Sequence, residues 1–200
     1  MDRVKEILKA SAELRSLHDR VRETARLRDR SPEAGERWAA ACREFNARFA
    51  TLFYPGGDDA LSALRVCDPA AIQAAVDFIV ADPQHFRSGY TKEYVWARLL
   101  QCSLLPTDVE RLGSAALGYL QRRVDRSFWS MCRAMSRLAS PDFWSKVEVL
   151  AASGEEPVST RASYLLVFKQ GAVVGGQLRR RISQEVWLKR YRQRRDRTSK

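Results

Sequence analysis

The sequence predicts an all-α fold: an N-terminal helical hairpin, then stacked antiparallel helix pairs of HEAT-like organisation, then a basic C-terminal helix. Three observations carry this. Apolar side chains recur at 3.6-residue spacing through most of the 200 residues, each stripe opens on a polar cap that is often followed by proline, and no stretch alternates as a half-buried strand would. The runs SYLLVF (163–168) and AVV (172–174) are β-prone in composition but do not alternate.

Residues 3–30 read as one long helix, with Ile7, Ala10, Leu14, Leu17, Val21 and Thr24 in 3-4 alternation among Arg, Glu and Asp. Ser31-Pro32 opens its partner, a capping residue followed by proline in the first turn, and Trp38, Cys42, Phe45, Phe49, Leu52 and Phe53 fall on one face up to Tyr54. Pro55-Gly56-Gly57 closes this hairpin, residues 1–57. The segment 58–171 carries the repeats. Asp58 or Asp59 starts a short helix to Val66; Asp68-Pro69 starts one with Ile72, Val76, Ile79 and Val80; Asp82-Pro83 makes a turn before Gly89, and Thr91 caps the helix of Val95, Leu99 and Leu100. Thr107 with Glu110 forms a capping box, Asp125 caps the next helix, Ser140-Pro141 opens that of Trp144 and Val147, and a last helix follows Pro157 up to Gly171. Starts at 68, 107 and 140 have the period of stacked helix pairs. Residues 172–200 form the basic tail, where Leu178, Ile182 and Val186, widened by Trp187, Leu188 and Tyr191, make the stripe of an amphipathic helix.

The segment PVSTRASYLLVFKQG (157–171), with Arg161-Ala162, Leu165-Leu166 and Gly171, resembles the second helix of a HEAT unit, and SPDFWSKVEVLAASGEE (140–156) the first helix and turn before it. DPQHFRSGYTKEYVWARLL (82–100) is similar to bacterial helical-repeat proteins of unassigned function. The resemblance implies an α-solenoid that binds protein or nucleic acid along a concave face. Trp129 and Trp144 with Asp125 and Asp142, and the run FWSKVEVL (143–150), are also similar to HEAT-like alkylpurine DNA glycosylases, although the chain lacks a second Trp/Asp motif.

Charge supplies the functional signal. The formal net charge is +11, and residues 177–200 hold ten Lys/Arg against two Asp/Glu, or +8, leaving +3 for the other 176 residues. An excess confined to one segment is a footprint for an anionic partner. The expected contacts are Arg179, Arg180, Arg181, Lys189, Arg190, Arg192, Arg194, Arg195 and Arg197, with nucleic acid or an acidic protein surface as partner. The densest reactive cluster is DPQHFRSGYTKEY (82–94), a candidate binding loop through His85, Arg87, Tyr90 and Lys92. Its lone histidine has no evident nucleophile or second base, so no catalytic residue is assigned. PGGDD (55–59) and GAVVGG (171–176) lack the Lys-Ser/Thr of a phosphate loop and read as helix terminators or linkers.

Cys42, Cys67, Cys102 and Cys132 include no close pair. The expectation is four reduced, largely buried thiols, with neither metal nor cofactor. No apolar run is long enough for a membrane span and the N-terminus is charged throughout, so a soluble cytoplasmic protein without a membrane partner is expected. The leading expectation is a non-enzymatic helical-repeat binding module that contacts nucleic acid through its basic C-terminus. The alternative is a protein–protein adaptor or assembly subunit using the repeat face; a HEAT-like glycosylase ranks third.

Overall fold

Short polar side chains placed just before proline set the helix starts. Ser31 Oγ accepts from Ala34 N at 3.2 Å, Asp68 Oδ1 from Ala71 N at 3.0 Å and Ser140 Oγ from Phe143 N at 3.4 Å. Each satisfies an N–H that the first turn leaves unpaired, and each precedes a proline that has no N–H to satisfy. The computed structural model describes residues 2–122 and 124–169. Among these it has nine helices and no strand: α1 (Arg3–Ala25), α2 (Pro32–Leu52), α3 (Gly57–Arg65), α4 (Pro69–Ala81), α5 (Ser88–Leu99), α6 (Pro106–Leu120), α7 (Phe128–Leu138), α8 (Pro141–Ala152) and α9 (Val158–Lys169). The β-prone run 163–168 is therefore helical, within α9. The run 172–174 and the predicted basic helix lie outside the described residues.

The chain divides into two compact units, at Ser103 and Leu104. The cut falls within the segment read from the sequence as repeats, and the N-terminal hairpin shares its unit with α3, α4 and α5. In the first unit α1 and α2 lie antiparallel, since Glu13 pairs with Arg48 at 2.6 Å and Arg20 with Glu44 at 2.9 Å. Between them Leu14, Leu17 and Phe45 are buried, with Val21, Phe49, Leu52 and Phe53 packed around them. The 3.6-residue stripes of both helices face each other, so each buries the apolar side of the other. Helix α4 is buried along most of its length, packing on α1, α3 and α5.

In the second unit α8 and α9 form a tight pair, and α6 packs on α7, α8 and α9. Leu112, Leu120, Phe128, Met131, Met135, Val147 and Leu165 are fully buried there. Gly113 lets α6 and α8 approach closely, because a Cβ at that position would stand 3.3 Å from Phe143 Cδ2. Arg161 is buried, and its guanidinium donates to Leu120 O at 2.9 Å and to Arg122 O, so it caps the C-terminal end of α6. This packing of paired helices is compatible with a helical-repeat arrangement.

Several boundaries differ from the sequence reading. Helix α1 ends at Ala25, short of residue 30, and α3 begins at Gly57, capped by Gly56 in the left-handed region (φ 81°), not by Asp58 or Asp59. Helix α6 is entered from Leu105 with Pro106 in the first turn, and no side chain caps it, so Thr107 is inside the helix. Ser127 sits at the N-cap position of α7, while Asp125 Oδ1 accepts from Ser127 N and Ser127 Oγ, both at 2.7 Å.

The cysteine expectation fails at two positions. Cys67 and Cys102 form a disulfide, with Cα atoms 5.4 Å apart; Cys42, half-buried, and Cys132, buried, are free. The bond joins the chain just past α3 to the chain just past α5. Sequence spacing missed it because 35 residues separate the two, and only the packing of α3 on α5 brings those helix ends together.

Candidate functional site

The connection between α4 and α5 concentrates the reactive side chains of the first unit. Helix α4 stops because Asp82 takes a left-handed conformation (φ 44°), which an Asp tolerates better than most residues, and Pro83 follows. The Asp82 carboxylate turns inward and Lys92 Nζ donates to its Oδ1 at 2.7 Å; the side chains are 6% and 2% exposed. Gln84 Nε2 donates to Asp82 Oδ2 at 3.0 Å and to Asp82 O at 3.2 Å, and Gln84 N donates to Ser11 Oγ on α1 at 3.0 Å. The buried charges are thus paired and further hydrogen-bonded, the condition under which such a pair is tolerated.

Helix α5 starts at Ser88, three residues before Thr91. The left-handed residue at its start is Arg87 (φ 63°), and Gly89 is not among the positive-φ glycines. Ser88 Oγ accepts from His85 N at 3.3 Å. Lys92 thus sits one turn inside the helix, where it faces Asp82.

These ties sort the four candidate loop residues into different environments. Lys92 belongs to the interior. His85 is half-buried; its Nδ1 lies 2.9 Å from Phe86 O, a carbonyl that can only accept, so this nitrogen carries the proton. Burial is the main cause that holds its pKa below the ordinary histidine value, so the ring is neutral at pH 7. Arg87 and Tyr90 are exposed, with the guanidinium 5.6 Å from the ring centroid. Between them and the hairpin, Phe86 stacks on His18 at 4.8 Å and meets Phe45 and Phe49 edge-on at 5.8 and 6.0 Å. The solvent-facing part of the loop is an arginine over an aromatic ring, a pair suited to binding by stacking and charge; a proton relay would need a second titrating group beside His85.

The nine basic residues Arg179, Arg180, Arg181, Lys189, Arg190, Arg192, Arg194, Arg195 and Arg197 lie outside the described residues. Those behind the glycosylase resemblance are described. Trp144 is buried beneath Lys169, 5.1 Å from its ring centroid, and Trp129 packs on Tyr164 at 4.3 Å. Asp142 pairs with Lys146 one turn away at 2.7 Å, and Asp125 braces the start of α7. Both tryptophans therefore pack, and both aspartates make local contacts. Among the described residues, no group of three or more His, Cys, Asp or Glu is placed to hold a metal ion, and no helix is long and apolar enough to cross a membrane.

The chain matches no family model, no curated protein and no solved structure. Its function has to be argued from its own residues.

Proposed function

We propose that the protein is a helical binding module that contacts nucleic acid through the arginine-rich segment 177–200. The observation that carries this reading is the segregation of charge: ten Lys/Arg against two Asp/Glu in 24 residues of a +11 chain. Basic residues of the helical units, in contrast, are often matched by acids, as in the pairs Arg3–Asp77, Arg20–Glu44, Arg48–Glu13 and Lys146–Asp142. Arginine forks bind phosphate oxygens bidentately, and Trp187 and Tyr191, interleaved with them, supply rings on which bases stack. Contacts of this kind position a chain on a polyanion and read its sequence weakly.

The test is fluorescence anisotropy with labelled duplex and single-stranded oligonucleotides across a salt series, comparing the parent chain with one in which the nine Arg/Lys between Arg179 and Arg197 are Gln. Each neutralised phosphate contributes a slope of about −0.7 to −0.9 in log affinity against log salt. The parent should show a steep slope, and the Gln tail should bind on the order of a hundredfold more weakly or worse. Absence of salt-sensitive binding by the parent at low ionic strength overturns the proposal. The adaptor reading would then lead, favoured by a shallow apolar depression in the second unit, where Val149 is 71% exposed beside Leu117 and Leu150.

A further inference from the structure

The first unit holds an open cavity of about 690 Å³ between α1, the end of α2, α3 and α4. Its floor is apolar and buried: Ile7, Tyr54, Ala71, Ala74 and Phe78. Alanines open the space, since a larger side chain at Ala71 or Ala74 would occupy it. The volume lies within the range of pockets that take a drug-sized molecule.

Two features of the wall indicate what fits. The first is charge. Glu6, Asp59 and Asp68 stand exposed around the rim, against a single cation, Arg3, whose guanidinium is 3.4 Å from Asp77. His85, at the same rim, is neutral at pH 7. In a chain of net charge +11 this mouth carries an excess of carboxylates. The second is Tyr54, whose hydroxyl is the one buried side-chain polar atom among the described residues without a hydrogen-bond partner. Its ring packs on Phe78 at 4.9 Å, and both residues line the cavity. Carboxylates at the mouth of an apolar cavity attract an organic ammonium by charge while the floor takes its apolar part.

We propose that this cavity binds a hydrophobic amine, a molecule with an apolar ring or chain for the floor and a protonated nitrogen drawn to the Glu6 and Asp59 side. The proposal is independent of the tail, since every residue it uses lies in the first unit.

Three probes that share a ring system test it: 1-naphthylmethylamine, 1-naphthylmethanol and 1-naphthoate, each measured by equilibrium dialysis against the full chain at low salt. The amine should bind saturably at one site, about fivefold or more tightly than the alcohol, the scale expected of two carboxylates several ångströms away at a protein surface. The carboxylate should bind weakest, even though the net charge of the chain favours it. Glu6→Gln with Asp59→Asn, at exposed positions, should remove the advantage of the amine and leave the affinity of the alcohol unchanged. Ala63→Leu, which fills the cavity from α3, should weaken all three probes while circular dichroism shows an intact helical fold. The proposal is overturned if the alcohol or the carboxylate binds as tightly as the amine, if the rim variant keeps the preference, or if no probe saturates.

Discussion

Removing the Cys67–Cys102 bond should be among the largest single perturbations available in the first unit. The bond closes a loop across 35 residues. If its effect is to restrict the unfolded chain, the entropy removed is 2.1 plus 1.5R ln 35, about 12.7 cal/mol/K, or about 3.8 kcal/mol at 25 °C. Engineered and natural disulfides more often deliver about 2–4 kcal/mol, so the expected loss for Cys67→Ser with Cys102→Ala lies in that range. For a unit of this size such a loss lowers the melting temperature by about ten degrees or more. The measurement is thermal or urea unfolding of the parent with and without reductant, beside the double variant, which should behave as the reduced parent does. A thiol count decides the premise: the unfolded, unreduced chain should expose two titratable thiols, Cys42 and Cys132. Four thiols, or a melting temperature indifferent to reductant, would refute the reasoning and return the chain to the four reduced cysteines that its spacing suggests.

Two further outcomes follow from buried ionisable groups. Lys92→Met should destabilise by about 3–5 kcal/mol by stranding the Asp82 carboxylate, and Lys92→Met with Asp82→Asn should recover much of that loss; equal urea midpoints for the single and double variants would rule this out. His18 and His85 both have pKa values lowered from 6.5, chiefly by burial, so the unfolded chain binds protons more readily than the folded one. Stability should therefore be fully present above about pH 6.5 and fall as pH drops through the folded values; His18→Gln with His85→Gln should flatten that part of the melting-temperature profile, and an unchanged slope would count against it.

What the sequence made legible was whatever is decided within one helical turn. Ser31, Asp68 and Ser140 are caps in the structure as in the sequence, because a side-chain oxygen reaching an N–H three residues on is a local geometry that proline reinforces. The apolar faces of α1 and α2 were legible for the same reason, their period being that of the helix itself. The start of α5 was not. Local chemistry offered Thr91 as cap, but the chain begins the helix from an arginine at positive φ, beside an ion pair formed across ten residues. The Cys67–Cys102 bond and the cavity at Tyr54 belong to the same class. Each depends on which helices pack together, and no residue spacing encodes that.

Burial bears differently on the charge argument. A count of Lys and Arg misleads if buried cations inflate it, and two are buried among the described residues, Lys92 and Arg161. The buried acids among the described residues are also two, Asp82 and Asp108. The four formal charges sum to zero, so burial of the described residues leaves the +3 read from the sequence for residues 1–176 unchanged. The tail's +8 is therefore set against helical units whose surface is nearly balanced. Net charge acts on a polyanion through its local density, since counterions are released only where cations line the phosphates. Nine basic side chains within Arg179–Arg197 supply that density, whereas three net charges spread over two helical units do not. Should the Gln tail bind as the parent does, the attraction would have to come from a cluster the net count hides, and the exposed Arg87 beside Tyr90 is the place in the described structure to look for it first.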